Sequence, residues 1–215
     1  MEEVKEQILD KSEELFMRYG IKSVTMDDIA RELGISKKTL YQYVANKTEL
    51  IEQIFHQRIE REKKQMARIR DISADAVEEI LKIADYVIAE LRQLSPTTMY
   101  DLQKYYRGTW CQMDALHQSH VYQLIRDNIE RGMKQGVYRH DLDPDIIAKL
   151  YVGKTSLVAD DELFPLREYN IEELFKQYIH YHIHGIASPK GLRLLEQHLG
   201  EAGGATAGEQ LTDRK

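Results

Sequence analysis

One cysteine, one tryptophan and four prolines are all that this 215-residue chain has of three structurally telling residue types. The lone cysteine, Cys111, excludes an internal disulfide framework and fits a reducing cytoplasm. No run of about 18 apolar residues occurs, so no segment is expected to span a membrane. The opening Met1-Glu2-Glu3-Val4-Lys5 lacks a basic stretch followed by an apolar one, and no secretory signal is expected. Positive charge is not in excess either: 30 Lys and Arg face 36 Asp and Glu, a formal net charge of −6. That excludes a protein that coats nucleic acid wholesale. Any phosphate contact has to come from a local patch set against an acidic background. Also missing are a glycine-rich phosphate loop, a Gly-x-Ser-x-Gly nucleophile turn and a His-Glu-x₂-His metal helix, so neither an enzyme nor a cofactor is expected. What remains is a globular balance, 42% hydrophobic and 31% charged.

Strict period-two alternation over six or more residues is absent, whereas apolar residues recur at three and four throughout. Val4, Ile8, Leu15 and Phe16 mark a first helix, with Gly20 placed to stop it. Thr25 with Asp28 reads as a capping box for a helix over 26–33, which Gly34 closes. Ser36 opens a short helix over 37–43, and Asn46 with Glu49 starts a long one over 47–71. Ser95-Pro96, Asp143-Pro144 and Ser188-Pro189 each set a capping residue before a proline at the first helical position. Asn170 with Glu173 adds another capping box. Further helices are expected over 75–94, 97–106, 109–135, 144–159, 171–187 and 189–199, with a disordered tail over 201–215. The fold class is all-α.

Two short helices joined at Leu33-Gly34-Ile35-Ser36 have the dimensions of a helix-turn-helix. Ile29, Ala30 and Leu33 would face the first helix, and Ile35, Leu40 and Val44 would anchor the second short one. Its other side then shows Lys37, Lys38, Thr39, Tyr41, Gln42 and Tyr43. From Ser36 to Lys47 there are three lysines and no carboxylate, a net of +3 inside a chain of −6. Hydroxyls and lysines suit phosphate oxygens, while Lys38 and Gln42 can reach base edges in a major groove. Equally, a lysine pair is often a solvated helix face, and Tyr41 and Tyr43 read as well as half-buried aromatics. Lys47 opposes the dipole at the start of its helix, a conflict that an outside negative charge would relieve.

The run Thr25-x₃-Ile29-Ala30-x₃-Gly34-x-Ser36-x₂-Thr39-Leu40-Tyr41-x-Tyr43, followed by Lys47 and Leu50, resembles the DNA-binding segment of the tetracycline-repressor (TetR) family. The resemblance is close over roughly residues 3 to 60 and weaker at Gly132-x₃-Gly136-Val137-Tyr138-Arg139 and Asp143-Pro144. It implies an N-terminal three-helix helix-turn-helix domain over 1–47. A helical ligand-sensing and dimerisation domain would follow over 48–200. Thr25, Ser36, Thr39, Tyr43 and Lys47 would hold phosphates, and Lys37, Lys38, Tyr41 and Gln42 would lie where bases are read. One departure is Val44, where the family often has an aromatic.

The C-terminal part carries two apolar stripes. Ile146, Ile147, Leu150 and Leu157 form one, with Gly153 and Ser156 allowing close approach. Ile171, Phe175, Tyr178, Ile179, His182 and Ile186 form the other. Periodicity alone cannot tell a seam from an internal core, but the resemblance implies a four-helix bundle shared by two subunits. Leu150, Gly153, Leu157, Phe175, Tyr178, Ile179, His182 and Ile186 would then line the dimer interface. Tyr86, Tyr100, Tyr105, Tyr106, Trp110, Met113 and Tyr122 suit an apolar small-molecule pocket, although such residues are often simply core. Metal spacing fails: His180 and His184 share a helix face but His182 points away, and the spaced set Cys111, Asp114, His117, His120 drifts half a turn. No metal site is expected.

The function expected is a ligand-responsive transcriptional regulator, a repressor that binds a pseudo-palindromic operator as a homodimer in the cytoplasm. Its partners are double-stranded DNA, a second copy and a small-molecule effector, with no membrane. The helix over 47–71 would act as connector between effector and DNA. The alternative is a DNA-binding assembly factor of the same fold that recruits a protein partner and has no inducer.

Overall fold

The computed structural model describes residues 2–93, 95–158, 160, 162–165 and 167–209. Ten α-helices are formed among them. They are α1 (Glu2–Tyr19), α2 (Met26–Glu32), α3 (Lys37–Leu40), α4 (Lys47–Asp71), α5 (Ala76–Gln93), α6 (Pro96–Tyr105), α7 (Arg107–Lys134), α8 (Pro144–Val158), α9 (Ile171–Ile186) and α10 (Pro189–Glu209). The one strand-like pairing among the described residues is the isolated antiparallel bridge of Tyr138 with Ala187.

The short-range signals of the sequence appear as built structure. Thr25 and Asp28 close a reciprocal capping box on α2, and the side chains of Ser36, Ser95 and Asn170 cap α3, α6 and α9. Asp143 accepts the N–H groups of Asp145 and Ile146 at the head of α8. Gly20 and Gly34, which end α1 and α2, take φ of 82° and 65°, a region where a side chain is strained. The second short helix differs from its expected span of 37–43. Regular α-geometry stops at Leu40, and the chain tightens: Gln42 N–H donates to Thr39 and Tyr43 N–H to Leu40, each three residues back. α10 runs past Gly200 to Glu209, so the expected tail is helical up to that point; residues 210–215 of it lie outside the described residues.

The chain divides into two compact units. The first comprises residues 1–66 and 90–119, and the second residues 67–89 and 120–215. This differs from a boundary at 47, because α6 and the start of α7 pack on the helix-turn-helix. Leu102 and Met113 belong to the same buried cluster as Ile8, Phe16, Ile29, Leu40, Val44, Leu50 and Ile54, with Met99, Tyr106 and Trp110 against it. Val44 is only 2% exposed, so the smaller side chain still seals the base of α3. Within the same unit Arg58 of α4 bridges Glu13 of α1 at 3.3 Å and Glu90 at 2.7 Å.

The second unit is built around α8 and α9 and around a buried polar network. Tyr178 donates its hydroxyl to the Tyr151 carbonyl at 2.8 Å, fixing α9 on α8. Glu79 is 2% exposed, yet it meets the Arg131 guanidinium at 3.0 Å and the Asn128 amide at 2.9 Å. The buried Tyr138 hydroxyl lies 3.0 Å from Asn128 Oδ1 and 2.9 Å from the Ala76 carbonyl. A carboxylate can stay buried here because its Oε2 meets both a cation and an amide donor.

Candidate nucleic-acid interface

Of the nine residues expected to face DNA, Thr25, Ser36, Lys37, Lys38, Tyr41 and Gln42 are exposed, while Thr39, Tyr43 and Lys47 are half-buried. Thr25 and Ser36 stand at the starts of α2 and α3, where backbone N–H groups point outward. Their hydroxyls already serve as caps. Thr25 Oγ1 accepts the Asp28 N–H at 3.1 Å and donates to its carboxylate at 2.6 Å, which holds that carboxyl below its usual range. Ser36 Oγ accepts the Thr39 N–H at 3.0 Å and lies 2.8 Å from the Thr39 hydroxyl. The caps therefore hold two helix starts in fixed conformations, with short polar side chains outermost.

The lysines divide. Lys38 is exposed, as are Tyr41 and Gln42 in the turn that follows α3. Lys37 pairs with Asp27 of α2 at 2.9 Å, which raises its pKa and brings the local charge from +3 to +2. Asp27 lies ten residues upstream of Lys37, outside the 36–47 patch. Both partners are largely exposed, a setting in which an ion pair is weak and a phosphate can compete.

Lys47 corrects the expectation that an outside anion relieves its conflict with the dipole of α4. Its ammonium donates to the carbonyls of Ile21 and Val24, on the turn that leads into α2. Half-buried, it is pushed below the usual lysine pKa by desolvation. The conflict is thus met inside the protein by two backbone oxygens. Tyr43 fits the half-buried aromatic reading, packed on the helix-turn-helix core with Leu33 and Ile35.

The expected pocket residues are distributed over both compact units. Within the first unit, Tyr106, Trp110 and Met113 face the helix-turn-helix core, whereas Tyr100 and Tyr105 are on the outside, 53% and 45% exposed. Amphipathic periodicity in a ten-residue helix did not separate these two sides. Tyr86 and Tyr122 belong to the second unit, where Tyr86 is half-buried and Tyr122 donates to Asp145 at 2.6 Å.

The expected seam also divides. On α8, Ile146, Leu150 and Leu157 are each at least half exposed, and Gly153 is exposed between them. The Ser156 side chain lies outside the described residues. On α9, by contrast, Phe175, Tyr178, Ile179, His182 and Ile186 are buried in the chain's own core. Tyr178 and His182 pack on the Tyr151 ring at 5.2 and 4.8 Å between centroids. A stripe at three-four spacing marks a buried face, and here Tyr151 of the same chain's α8 packs on two of its members. His180 and His184 have rings 6.3 Å apart, and His184 Nδ1 lies 2.8 Å from the His180 carbonyl.

Sequence reasoning missed the polar contacts that join distant segments: Lys37 with Asp27, Asp101 with the Lys22 N–H, and Glu79 with Arg131. No helix among the described residues is long and apolar enough to cross a membrane.

Comparison with known proteins agrees with this geometry. The profile of the family described as bacterial regulatory proteins, tetR family, matches residues 8–54, which span α1 to the start of α4. The HTH-type transcriptional regulator YvaF of Bacillus subtilis is 27% identical over 188 residues, covering 85% of this chain and 95% of its own. The HTH-type transcriptional repressor KstR2 of Mycolicibacterium smegmatis is 22% identical over 191 residues, covering 87% and 92%. Among solved structures, a transcriptional regulator from Saccharomonospora viridis in complex with choline superposes with a TM-score of 0.62. It is 20% identical and covers 87% of this chain and all of its own. All three carry the name of a transcriptional regulator or repressor. Capped short helices on one core, a family match over that same segment and relatives alike over nearly their full length show that residues 8–54 are similar to the DNA-binding segment of the tetR family of bacterial regulatory proteins.

Proposed function

We propose that the protein is a homodimeric, effector-responsive repressor that binds a pseudo-palindromic operator. The observation that carries the dimer is the outward stripe of α8. Ile146, Leu150 and Leu157 recur at four and seven residues, each 50% exposed or more. A surface row of three large aliphatic side chains on one helix is what a partner covers, and the exposed Gly153 allows close approach. Two copies would set two helix-turn-helix units about 34–36 Å apart, one turn of duplex. Selection of bound genomic fragments should recover an inverted repeat, and recovery of no enriched repeat at moderate salt overturns the reading. Replacing both Leu150 and Leu157 by glutamate should shift the sedimenting species from dimer to monomer and weaken operator binding in parallel. An unchanged dimer would move the seam elsewhere.

Base reading is assigned to Lys38 and Gln42. Each alanine variant should lose about 1–3 kcal/mol of operator affinity per half-site and relax preference at one base pair. A loss spread evenly over all sequences would instead make them backbone contacts.

For the effector, Tyr106, Trp110 and Met113 supply apolar surface in direct contact with the helix-turn-helix core. A molecule seated on them would bear on that core, and one relative's structure holds a small ligand, choline. α4, which starts beside the α2 turn through Lys47, would carry the rearrangement. Binding of a verified effector should change operator affinity by about 5–150-fold, the usual range of such coupling, and Trp110→Ala should reduce that factor. No thermal shift with any of a broad set of small molecules, together with a co-purifying protein, would favour a recruiting factor of the same fold.

A further inference from the structure

The turn between α1 and α2 and the outer side of α6 carry positive charge that the two short helices do not account for. Residues 16–26 and 96–110 hold Arg18, Lys22, Lys104 and Arg107 against a single carboxylate, Asp101. That carboxylate is buried and turned inward, accepting the Lys22 backbone N–H at 2.7 Å. The Thr98 hydroxyl donates to the Phe16 carbonyl at 2.6 Å. These two bonds hold α6 to the end of α1 and to the turn that leads into Thr25. On the outside the Lys22 ammonium lies 4.3 Å from the centroid of Tyr105 and 3.1 Å from its hydroxyl. Lys104 donates to the Tyr100 hydroxyl and lies 4.8 Å from that ring, and the two tyrosines meet edge to face at 6.5 Å.

We propose that Lys22, Lys104, Tyr100 and Tyr105 form a second contact strip for the phosphate backbone of DNA flanking the half-site. The inference rests on the assignment of the helix-turn-helix as the DNA-binding element. Three observations support it. The strip is continuous with that element, since Lys22 lies three residues before the cap Thr25. Its charge is complementary to phosphate, in contrast to a chain of net −6. Its lysines are held rather than loose: each ammonium rests on an aromatic face, which lowers the ordering cost of a contact. The two phenol hydroxyls add neutral donors of the kind that bond phosphate oxygens.

The test compares wild type with the double variant Lys22→Gln/Lys104→Gln on the selected operator. Two duplexes are used, one trimmed to the inverted repeat and one carrying native flanks. On the flanked duplex, two lost phosphate contacts should flatten the slope of log affinity against log salt by about 1.8. Between 50 and 200 mM salt the variant should therefore lose roughly tenfold less affinity than wild type. On the trimmed duplex the two proteins should behave alike. A second variant, Lys22→Glu/Lys104→Glu, should abolish the gain in affinity that flanks give wild type, and matching circular dichroism spectra would show that both variants fold. Equal salt slopes on the flanked duplex, with wild type still bound, overturn this inference alone. Failure of wild type to bind either duplex overturns the DNA-binding assignment with it.

Discussion

Arg131→Met is expected to lower the unfolding free energy by about 3–5 kcal/mol, the cost of stranding a buried carboxylate without its cation. The Arg131 guanidinium meets Glu79 at 3.0 Å and the Ser73 carbonyl at 3.0 Å. Glu79 is almost completely buried, so water cannot replace the lost charge. Asn128 remains beside Glu79, but its amide is also committed to the Ala76 carbonyl at 3.0 Å. Tyr138 adds a hydroxyl to the same group, and it reaches that seat only because residue 132 is glycine. A Cβ there would lie 2.1 Å from the Tyr138 ring. Urea titration followed by circular dichroism measures the effect. The double variant Glu79→Met/Arg131→Met should recover much of the loss, because an apolar pair of similar volume can replace a buried ion pair. A single-variant loss below about 1 kcal/mol would mean that Glu79 is hydrated and the network is not sealed.

Features that act within four residues were legible in the sequence. The cap of Thr25 on Asp28, the stops at Gly20 and Gly34 and the prolines after capping residues all operate through neighbouring backbone groups. The exposed side of α3 was legible for the same reason, as Leu40 and Val44 face the core and Lys38 and Gln42 do not. What required coordinates was the partner of each face. The α9 stripe was visible as apolar, but nothing in its spacing says that Tyr151 of its own chain covers it. Lys47 was rightly singled out as a cation at an unfavourable helix start. Its carbonyl partners lie 26 and 23 residues upstream, beyond any local pattern. The Glu79–Arg131 pair spans 52 residues, so Gly132 and Tyr138 could be noticed as a resemblance but not explained.

The second large effect should appear on acidification, through His182. Its ring is 8% exposed and stacks edge-on against Tyr151, with Tyr178 also on that ring and Lys154 adding positive charge nearby. No described residue gives its Nε2 a hydrogen bond. Burial first, and Lys154 second, push its pKa down to about 4 from an ordinary 6.5. Between those two values the unfolded chain binds a proton that the folded chain refuses. Stability therefore rises with pH across that window: full above about 6.5, it is lost as pH falls toward 4. A shift of this size corresponds to about 3 kcal/mol. Unfolding free energies of wild type and His182→Leu, measured from pH 7.5 to 4.5, should diverge by that order, with the leucine variant relatively favoured in acid. Other titrating groups, His117 beside Glu62 among them, are common to both proteins and cancel in the difference. A difference that stays constant with pH would show that His182 takes up its proton in the folded state.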